Sequence, residues 1–546
     1  MSTWTDLWTG KSIGTALAEA TKRYGSKEAI IFGNEAVTFT ELEKMSGLVA
    51  RGLLALGVRK GDMVAIWMAG FAEWSFIYYA CARIGAVMVP VNTRYKPFEV
   101  EYVLNKSRAA VLIWKDEEEK SKNYLGILKE LYPELDSASP GRLASKRLPH
   151  LRHMVAVGKR PQPGCSSFND LLNAGAAVSA ETLAEAEAEV SGEDTALIQF
   201  TSGTTALPKG AVLYQTAMLR AGYYNSYFLG VTEKDRFFSP QPFYHVGGSI
   251  QVMLGPVVLG CTMVVQAYFN AAEALHLMEK YQCTVTMGHQ PHWIEYMNHP
   301  DLKKRRLIVE RAEIFAPPDV RKRVAEEMGI GVLISPYSMT ESHIGGCTCH
   351  WDDPVEKRLY TVGRPMPGLE VVVRDPETGK ILPQGEAGEV CYRGWCLMRG
   401  YFDDPELTAE VIDADGWLRT GDLATIDPDG YVELVGRIKD MIRVGGENVA
   451  ASDVEGFLLR HEKVKQAVAV GVPEPRLGEV VVAFVELKSG MEATEAEIIA
   501  YCKADLAGFK VPRQVRFVTE WPMTGAGKIQ KFALQELAAK GVGAGR

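Results

Sequence analysis

The stretch "DTALIQFTSGTTALPKGAVLYQ", Asp194 to Gln215, decides the reading of this chain. Its opening "DTALIQF" is a short apolar run and predicts a buried strand. The continuation, "TSGTTALPKGA" from Thr201 to Ala211, holds four hydroxyls, two glycines and one lysine in eleven residues. Hydroxyls and backbone N–H groups on a glycine-loosened loop suit a polyphosphate, and a lysine close behind supplies counter-charge. A loop on the end of a strand also sits where α/β sheets gather ligands. A flexible Ser/Gly/Thr linker is the plain alternative, and the strand in front of it argues against that. A Walker-type loop fails on inspection: counting from Gly203, Pro208 stands where the second glycine belongs, and Gly210 follows Lys209 where a magnesium-binding hydroxyl is needed.

Outward from this loop, the first half alternates strand and helix signals. "SIGTALAEATKRYG" is helical, and "KEAIIFG" with "EAVTFTELEKMSGLVARGLLALGV" reads as a strand pair and then an amphipathic helix. "DMVAIWM" and "AAVLIW" are short apolar strands, and "FAEWSFIYYACARIGAVMVPVN" is a buried helix running into a strand. This rhythm predicts α/β layers with largely parallel sheets. Between Ser137 and Cys165 the chain reads as a surface loop, and Ala180 to Val190 as an acidic, solvated helix. Val252 to Phe269 reads as a buried strand with its approach, too interrupted by Gly and Pro to cross a membrane. After Asp422 the texture changes: "TIDPDGYVELVGR" is a hairpin whose "DPDG" supplies the turn, and helix–strand–turn–strand and helix–strand units follow. The fold class is α/β, with a large multi-layer N-terminal domain with parallel-rich sheets and a small mobile α+β C-terminal domain.

A chain of 546 residues is too long for one core. Its net charge of −8 argues against a general nucleic-acid binder. Nine scattered cysteines fit a reducing compartment, and the cluster "CTCH", Cys347 to His350, has no second half at zinc-ligand spacing. The first 25 residues lack a basic start followed by an apolar run, so no signal peptide is expected and the cytoplasm is the expected location.

Four further motifs follow the loop in order. They are "PFYHVGG" (Pro242 to Gly248), "YSMTES" (Tyr337 to Ser342), "WLRTGDLATIDPDGYVELVGRIKDMI" (Trp417 to Ile442) and "PMTGAGKIQK" (Pro522 to Lys531). With "TSGTTALPKG", the ordered set resembles the adenylate-forming superfamily, in its acyl-CoA synthetase and fatty-acid–CoA ligase branch, over nearly the whole chain. The resemblance implies domains at 1–436, a hinge at 437–440 centred on Lys439, and a C-terminal lid at 441–546 carrying Lys528. It implies ATP, Mg2+ and coenzyme A as the small molecules handled besides a carboxylic acid, with no integral membrane segment, and it admits a homodimer.

The chemistry explains the residue types. A carboxylate is a poor acyl donor until its oxygen leaves as AMP. Bringing carboxylate and ATP together costs Coulomb energy that cations, oriented dipoles and a metal must offset. The resemblance places Lys528 as the bridging cation in the first step, and Thr340 and Glu341 at the phosphates, with Glu341 on the metal. The resemblance likewise implies His245 beside the reacting acyl group, Thr201, Ser202, Gly203, Thr204, Thr205 and Lys209 in the phosphate loop, Ala316, Pro317 and Tyr337 against adenine, and Asp422 with Arg437 on the ribose. Gly445 and Gly446 would let backbone approach the pantetheine arm, and Lys528 would leave the site for the second step. Taken singly, each has a plainer reading: Lys528 and Arg437 as solvated side chains, Thr340 and Glu341 as a helix-start cap, Asp422 as a turn residue, Tyr337 as core.

Several positions depart from the family pattern: Ala206 for Gly in the loop, Gln215 for His, Ser338 for Gly, "IFAPP" for Gly-Gly-Ala-Pro, and Arg443–Val444 for Lys-Ser. None removes a reacting group. The acyl pocket is expected at His245, Val246, Gly247, Phe315, Ser338 and His343, mostly apolar or neutral residues. The expected acid is therefore a hydrophobic monocarboxylate, medium- or long-chain fatty or cyclic/aromatic. Loading of a carrier protein, a luciferase-like oxygenase and a non-catalytic nucleotide binder are the alternatives. The chain's end soon after the lysine motif favours free CoA, and Lys528, Glu341 and Asp422 argue against the last.

Overall fold

The computed structural model describes residues 7–115, 123–141, 143–201, 207–444, 447–523 and 529–542. Two seven-stranded sheets dominate the larger domain. Each has six parallel strands and one antiparallel edge strand. In the first, the parallel strands run in the order Val332–Ile334, Arg311–Phe315, Val285–His289, Arg236–Ser239, Thr262–Val265 and Glu28–Phe32, and Glu35–Thr38 closes the edge. In the second, Ser166–Ser167, His153–Val157, Val111–Lys115, Met63–Trp67, Val87–Pro90 and Thr195–Thr201 are parallel, and Lys209–Tyr214 folds back along the last. Strands buried on both faces have no polar side to show, so they read as continuous apolar runs such as "DMVAIWM".

Helices fill the space against these sheets. Helix Phe39–Ala55 begins with a capping box, Thr38 accepting from the Glu41 N–H at 3.2 Å while the Glu41 carboxylate accepts from the Thr38 N–H at 2.9 Å. Such a cap is worth about 1 kcal/mol. Helix Ala72–Arg83 is buried nearly all round, which its sequence "AEWSFIYYACAR" permits. Ala180–Ala188 is helical with only Leu183 buried, as its acidic composition predicts. Arg83 nonetheless pairs with its Glu187 at 2.5 Å.

Two expectations need correction. The stretch from Ser137 to Cys165 is not all loop, because His153–Val157 inserts as a buried parallel strand beside Val111–Lys115. Its run "HMVAV" is too short to stand out among the flanking Pro and Lys residues. The apolar stretch from Val252 holds the expected buried strand, Thr262–Val265, but its approach is helical: a π-helical segment, Gly247–Val252, passes into helix Met253–Leu259 before the strand begins. Gly260 ends the helix at φ +75°, and a Cβ there would lie 2.1 Å from the Tyr24 ring. That combination demands glycine.

A four-stranded antiparallel sheet, Leu369–Arg374, Gly388–Gly394, Leu418–Ile426 and Val432–Arg437, leads to the smaller domain. Its last two strands form the anticipated hairpin, with Asp427 accepting from the Asp429 and Tyr431 N–H groups. The smaller domain is α+β. Gly478–Leu487 lies between Val464–Glu474 and the parallel Gln514–Phe517, and the hairpin Met441–Val444 with Glu447–Ala450 joins at Val444. Arg460 pairs with Asp319 at 2.7 Å and Lys465 with Glu295 at 3.4 Å, tying it to helices of the larger domain. All nine cysteines are unpaired and buried. Among the described residues no helix is long and apolar enough to cross a membrane.

Candidate active site

Two parallel strands end at candidate residues, Thr201 and Phe315, in the crevice where α/β sheets hold ligands. Thr195–Thr201 ends at Thr201, and the hairpin brings Lys209 directly opposite, the two being register partners. Ser202, Gly203, Thr204 and Thr205 lie outside the described residues. Segment 399–402 pairs along the free edge of Lys209–Tyr214, through Arg399 N–H to Val212 O at 3.0 Å and Phe402 N–H to Gly210 O at 2.7 Å. That pairing sets the Tyr401 ring beneath Lys209, whose Nζ is 5.5 Å from the ring centroid. The Tyr401 hydroxyl donates to Glu341 Oε1 at 2.8 Å. Tyr401 thus links Lys209 to the Thr340–Glu341 turn, a contact that sequence reading missed.

Thr340 and Glu341 sit in a 3-10 turn, Thr340–Ser342, just after the two-residue strand Tyr337–Ser338. The Met398 N–H holds the Glu341 carbonyl at 2.8 Å, fixing the turn. Tyr337 is buried, and its hydroxyl donates to Asp422 Oδ2 at 2.5 Å. Burial, and then the Asp422 charge, hold the Tyr337 hydroxyl well above its ordinary pKa. The other oxygen of Asp422 pairs with Arg437 Nε at 2.8 Å. Register makes this inevitable, since Asp422 and Arg437 are cross-strand partners in the hairpin. Lys439 follows two residues later in a short exposed turn, Ile438–Asp440.

Strand Arg311–Phe315 ends in Phe315, Ala316 and Pro317, and helix Pro318–Met328 begins there. The Phe315 ring lies 4.8 Å from that of His289, the last residue of the neighbouring strand. Arg321 is buried and donates to the carbonyls of Ala316, Leu359 and Thr361, which locks this loop. His245, Val246 and Gly247 open the π-helical segment. A Cβ on Gly248 would lie 2.3 Å from the Pro242 carbonyl, so the tight turn at His245 requires glycine there. Ser338 is half-buried opposite Gly346.

His343 takes a different part from the one expected. It is fully buried at φ +52°; its Nε2 accepts from the Tyr214 N–H at 3.0 Å and its Nδ1 meets the Cys396 carbonyl at 2.7 Å. Burial lowers its pKa to about 4, so the ring stays neutral. With both nitrogens committed to main chain, it ties three segments together rather than facing an acyl chain. Lys528, Gly445 and Gly446 lie outside the described residues.

An open cleft of about 410 Å³ runs between Leu207, Lys209, Tyr401 and Phe402. Lys106 and Lys209 line it together with Asp404, Glu406 and Glu410, a mixed set that does not single out a polyphosphate. We do not assign the nucleotide to it.

Residues 17–402 match the AMP-binding enzyme family and residues 453–528 its C-terminal domain, so the chain belongs to the AMP-binding enzymes. It is 36% identical over 541 residues to the mitochondrial medium-chain acyl-CoA ligase of Danio rerio, covering 97% of this chain and 89% of that one. Among solved structures, an anthranilate CoA ligase in complex with anthranoyl-AMP superposes with a TM-score of 0.86 at 26% identity, over 99% of both chains. A Mycobacterium tuberculosis fatty acyl CoA synthetase gives 0.70 at 26% identity, over 97% of this chain and 98% of its own. Within the family the branch is that of the AMP-forming acid–CoA ligases.

The Tyr337–Asp422–Arg437 group gives a first expected result. Asp422→Asn removes the charge that Arg437 and the Tyr337 hydroxyl both share. A charge-assisted hydrogen bond is worth roughly 1.5–3 kcal/mol, so the KM for ATP should rise about tenfold or more. Initial rates against ATP concentration check this; an unchanged KM would remove Asp422 from the nucleotide site.

Proposed function

We propose that this ligase activates a hydrophobic monocarboxylate, medium- or long-chain fatty or cyclic/aromatic, in two steps: acyl-adenylate with release of pyrophosphate, then acyl-CoA with release of AMP. The observation that carries the reading is the link Lys209–Tyr401–Glu341 beside the group Tyr337–Asp422–Arg437. One cluster suits polyphosphate, the other a nucleoside. Their coexistence, with Tyr337 and Glu341 in one short segment, supports adenylation.

The donor set fits Mg2+. Glu341 offers a hard carboxylate oxygen and Thr340 a hydroxyl in the same turn, a small protein contribution that leaves room for phosphate oxygens and water. When bound, the metal would neutralise charge on the phosphates. Tyr401 holds Glu341 in place by its hydroxyl. Lys209 sets a cation at the loop. Asp422 and Arg437 orient the ribose, Ala316 and Pro317 form the edge against adenine with Tyr337 packed behind, and His245, Val246, Gly247, Phe315 and Ser338 border the acyl group. Lys528 supplies the charge between carboxylate and phosphate in the first step.

We assign the domains to 1–436 and 441–546, joined by a hinge at 437–440 in which Lys439 turns to present first the lysine motif and then the Gly445–Gly446 loop. Unpaired buried cysteines support a reducing compartment, the cytoplasm. A homodimer would leave this chemistry unchanged. The relative of Danio rerio is named for medium-chain acids, which supports the aliphatic end of the range. The purified enzyme with ATP, Mg2+, CoA and a panel of carboxylic acids should release AMP and pyrophosphate and form acyl-CoA by mass spectrometry. Adenylate that CoA never consumes would favour a carrier-protein acceptor, and ADP in place of AMP would sink the reading.

A further inference from the structure

We propose that the acyl pocket ends in a polar floor made by Glu313 and Gln251, and that this floor selects acids carrying a hydroxyl at the end remote from the carboxylate. The inference rests on the ligase reading above and on Phe315 and Gly247 bordering the acyl group.

Alternation along strand Arg311–Phe315 puts Glu313 and Phe315 on one face of the sheet. Glu313 is therefore one pleat, about 7 Å, deeper than the Phe315 ring. Its register partners are Met287 and Ile334, both buried and apolar. Gln251 comes from the π-helical segment Gly247–Val252, about one turn beyond Gly247. Both approaches, from strand and from helix, thus run inward from expected pocket residues to a polar side chain.

Neither residue has the partners that its burial requires. Glu313 is 0% exposed and Gln251 2%. Gln251 stands beside Glu313 and offsets a little of the burial penalty. Yet among the described residues neither carboxyl oxygen of Glu313 nor the amide nitrogen of Gln251 meets a partner in hydrogen-bonding geometry. Buried polar atoms are nearly always paired, and leaving one unpaired costs about 1–3 kcal/mol. Burial raises the Glu313 carboxyl to about 8, so near neutral pH it is a neutral acid with one O–H and one C=O to offer. The Gln251 amide adds N–H groups. A hydroxyl both donates and accepts, and it complements that set. A methyl end leaves the two side chains only each other to meet, and sites built to pair a substrate hydroxyl reject the analogue that lacks it. A neutral floor also leaves the substrate's reacting carboxylate without a rival charge nearby.

The test compares kcat/KM for matched acids on the full-length enzyme with ATP, Mg2+ and CoA: straight-chain acids against their ω-hydroxy counterparts, and phenylalkanoates against their para-hydroxy counterparts. In at least one series the hydroxy acid should be preferred about a hundredfold. Glu313→Leu should reverse that preference, Gln251→Leu should lower it about tenfold, and the neutral, isosteric Glu313→Gln should keep most of it. A purely structural role would move both members of a pair together and leave their ratio alone. Preference for the unsubstituted acid in every series, or an unchanged ratio in soluble Gln251→Leu and Glu313→Leu enzymes, overturns the proposal while acyl-CoA formation still upholds the ligase. If Glu313→Leu does not fold, the ratio in Gln251→Leu decides. Absence of AMP with every acid overturns the ligase reading itself and the floor with it.

Discussion

Lys528→Ala enzyme should form acyl-adenylate about a thousandfold more slowly than wild type, the scale of losing one preorganised donor at a developing charge. The same variant should convert supplied acyl-adenylate and CoA to acyl-CoA within about threefold of the normal rate, because on the proposed hinge motion the lid would carry its lysine away before the thiol attacks. The reason is electrostatic. A carboxylate and a polyphosphate approach each other in a closing site, and only a cation placed between them makes that approach affordable in free energy. Pyrophosphate release in a single turnover measures the first step, and mass spectrometry of acyl-CoA measures the second. Equal losses in both steps would refute the division of labour between the two lid positions. No loss in either would remove Lys528 from the mechanism.

The second large effect concerns stability and Glu313. Its carboxyl is raised by burial from an ordinary value of 4.5 to about 8. The folded chain therefore keeps a proton that the unfolded chain releases above pH 4.5. Stability is undiminished below the unfolded value, falls as pH rises, and stops falling once the folded group ionises near pH 8. At neutral pH the loss amounts to about 3 kcal/mol. Glu313→Gln has no such proton to hold. Its thermal midpoint should exceed that of wild type at pH 8 and converge with it near pH 5, as scanning fluorimetry across that range would read. Parallel pH profiles for the two proteins would show that Glu313 does not titrate from a buried site.

Much of this architecture was legible in the chain. The strand at Thr195–Thr201, the helix after Thr38 and the "DPDG" hairpin each follow from local chemistry, because their signals lie within a few residues. Asp422 and Arg437 were singled out from motif as ribose residues, but their pairing comes from hairpin register, which the motif does not state. Tyr401 was not foreseen. It reaches Lys209 only by edge pairing of segments far apart in sequence, and nothing in "RGYFDDPE" announces such a partner. Glu313 was missed for another reason: in "RAEIF" a glutamate alternating with apolar residues reads as the solvent side of a strand, whereas both faces of this sheet are covered. His343 was misplaced because a neutral histidine that binds main chain and one that lines a pocket look the same in sequence.

The burial of all nine cysteines has a consequence for an enzyme whose second substrate is itself a thiol. Mixed disulfides form by attack of an accessible thiolate. Burial pushes Cys81, Cys261 and Cys347 up to about 12 and Cys165 and Cys349 to about 11, so the thiolate is both scarce and out of reach. Oxidised coenzyme A should leave the enzyme uncapped even where the free thiol pool is depleted. The same surface also serves as a blank slate for spectroscopy. One cysteine added to an exposed position in each domain would be the preferred target for a maleimide dye, and a distance between the dyes that never changed with ATP, acid or CoA would count against the proposed hinge.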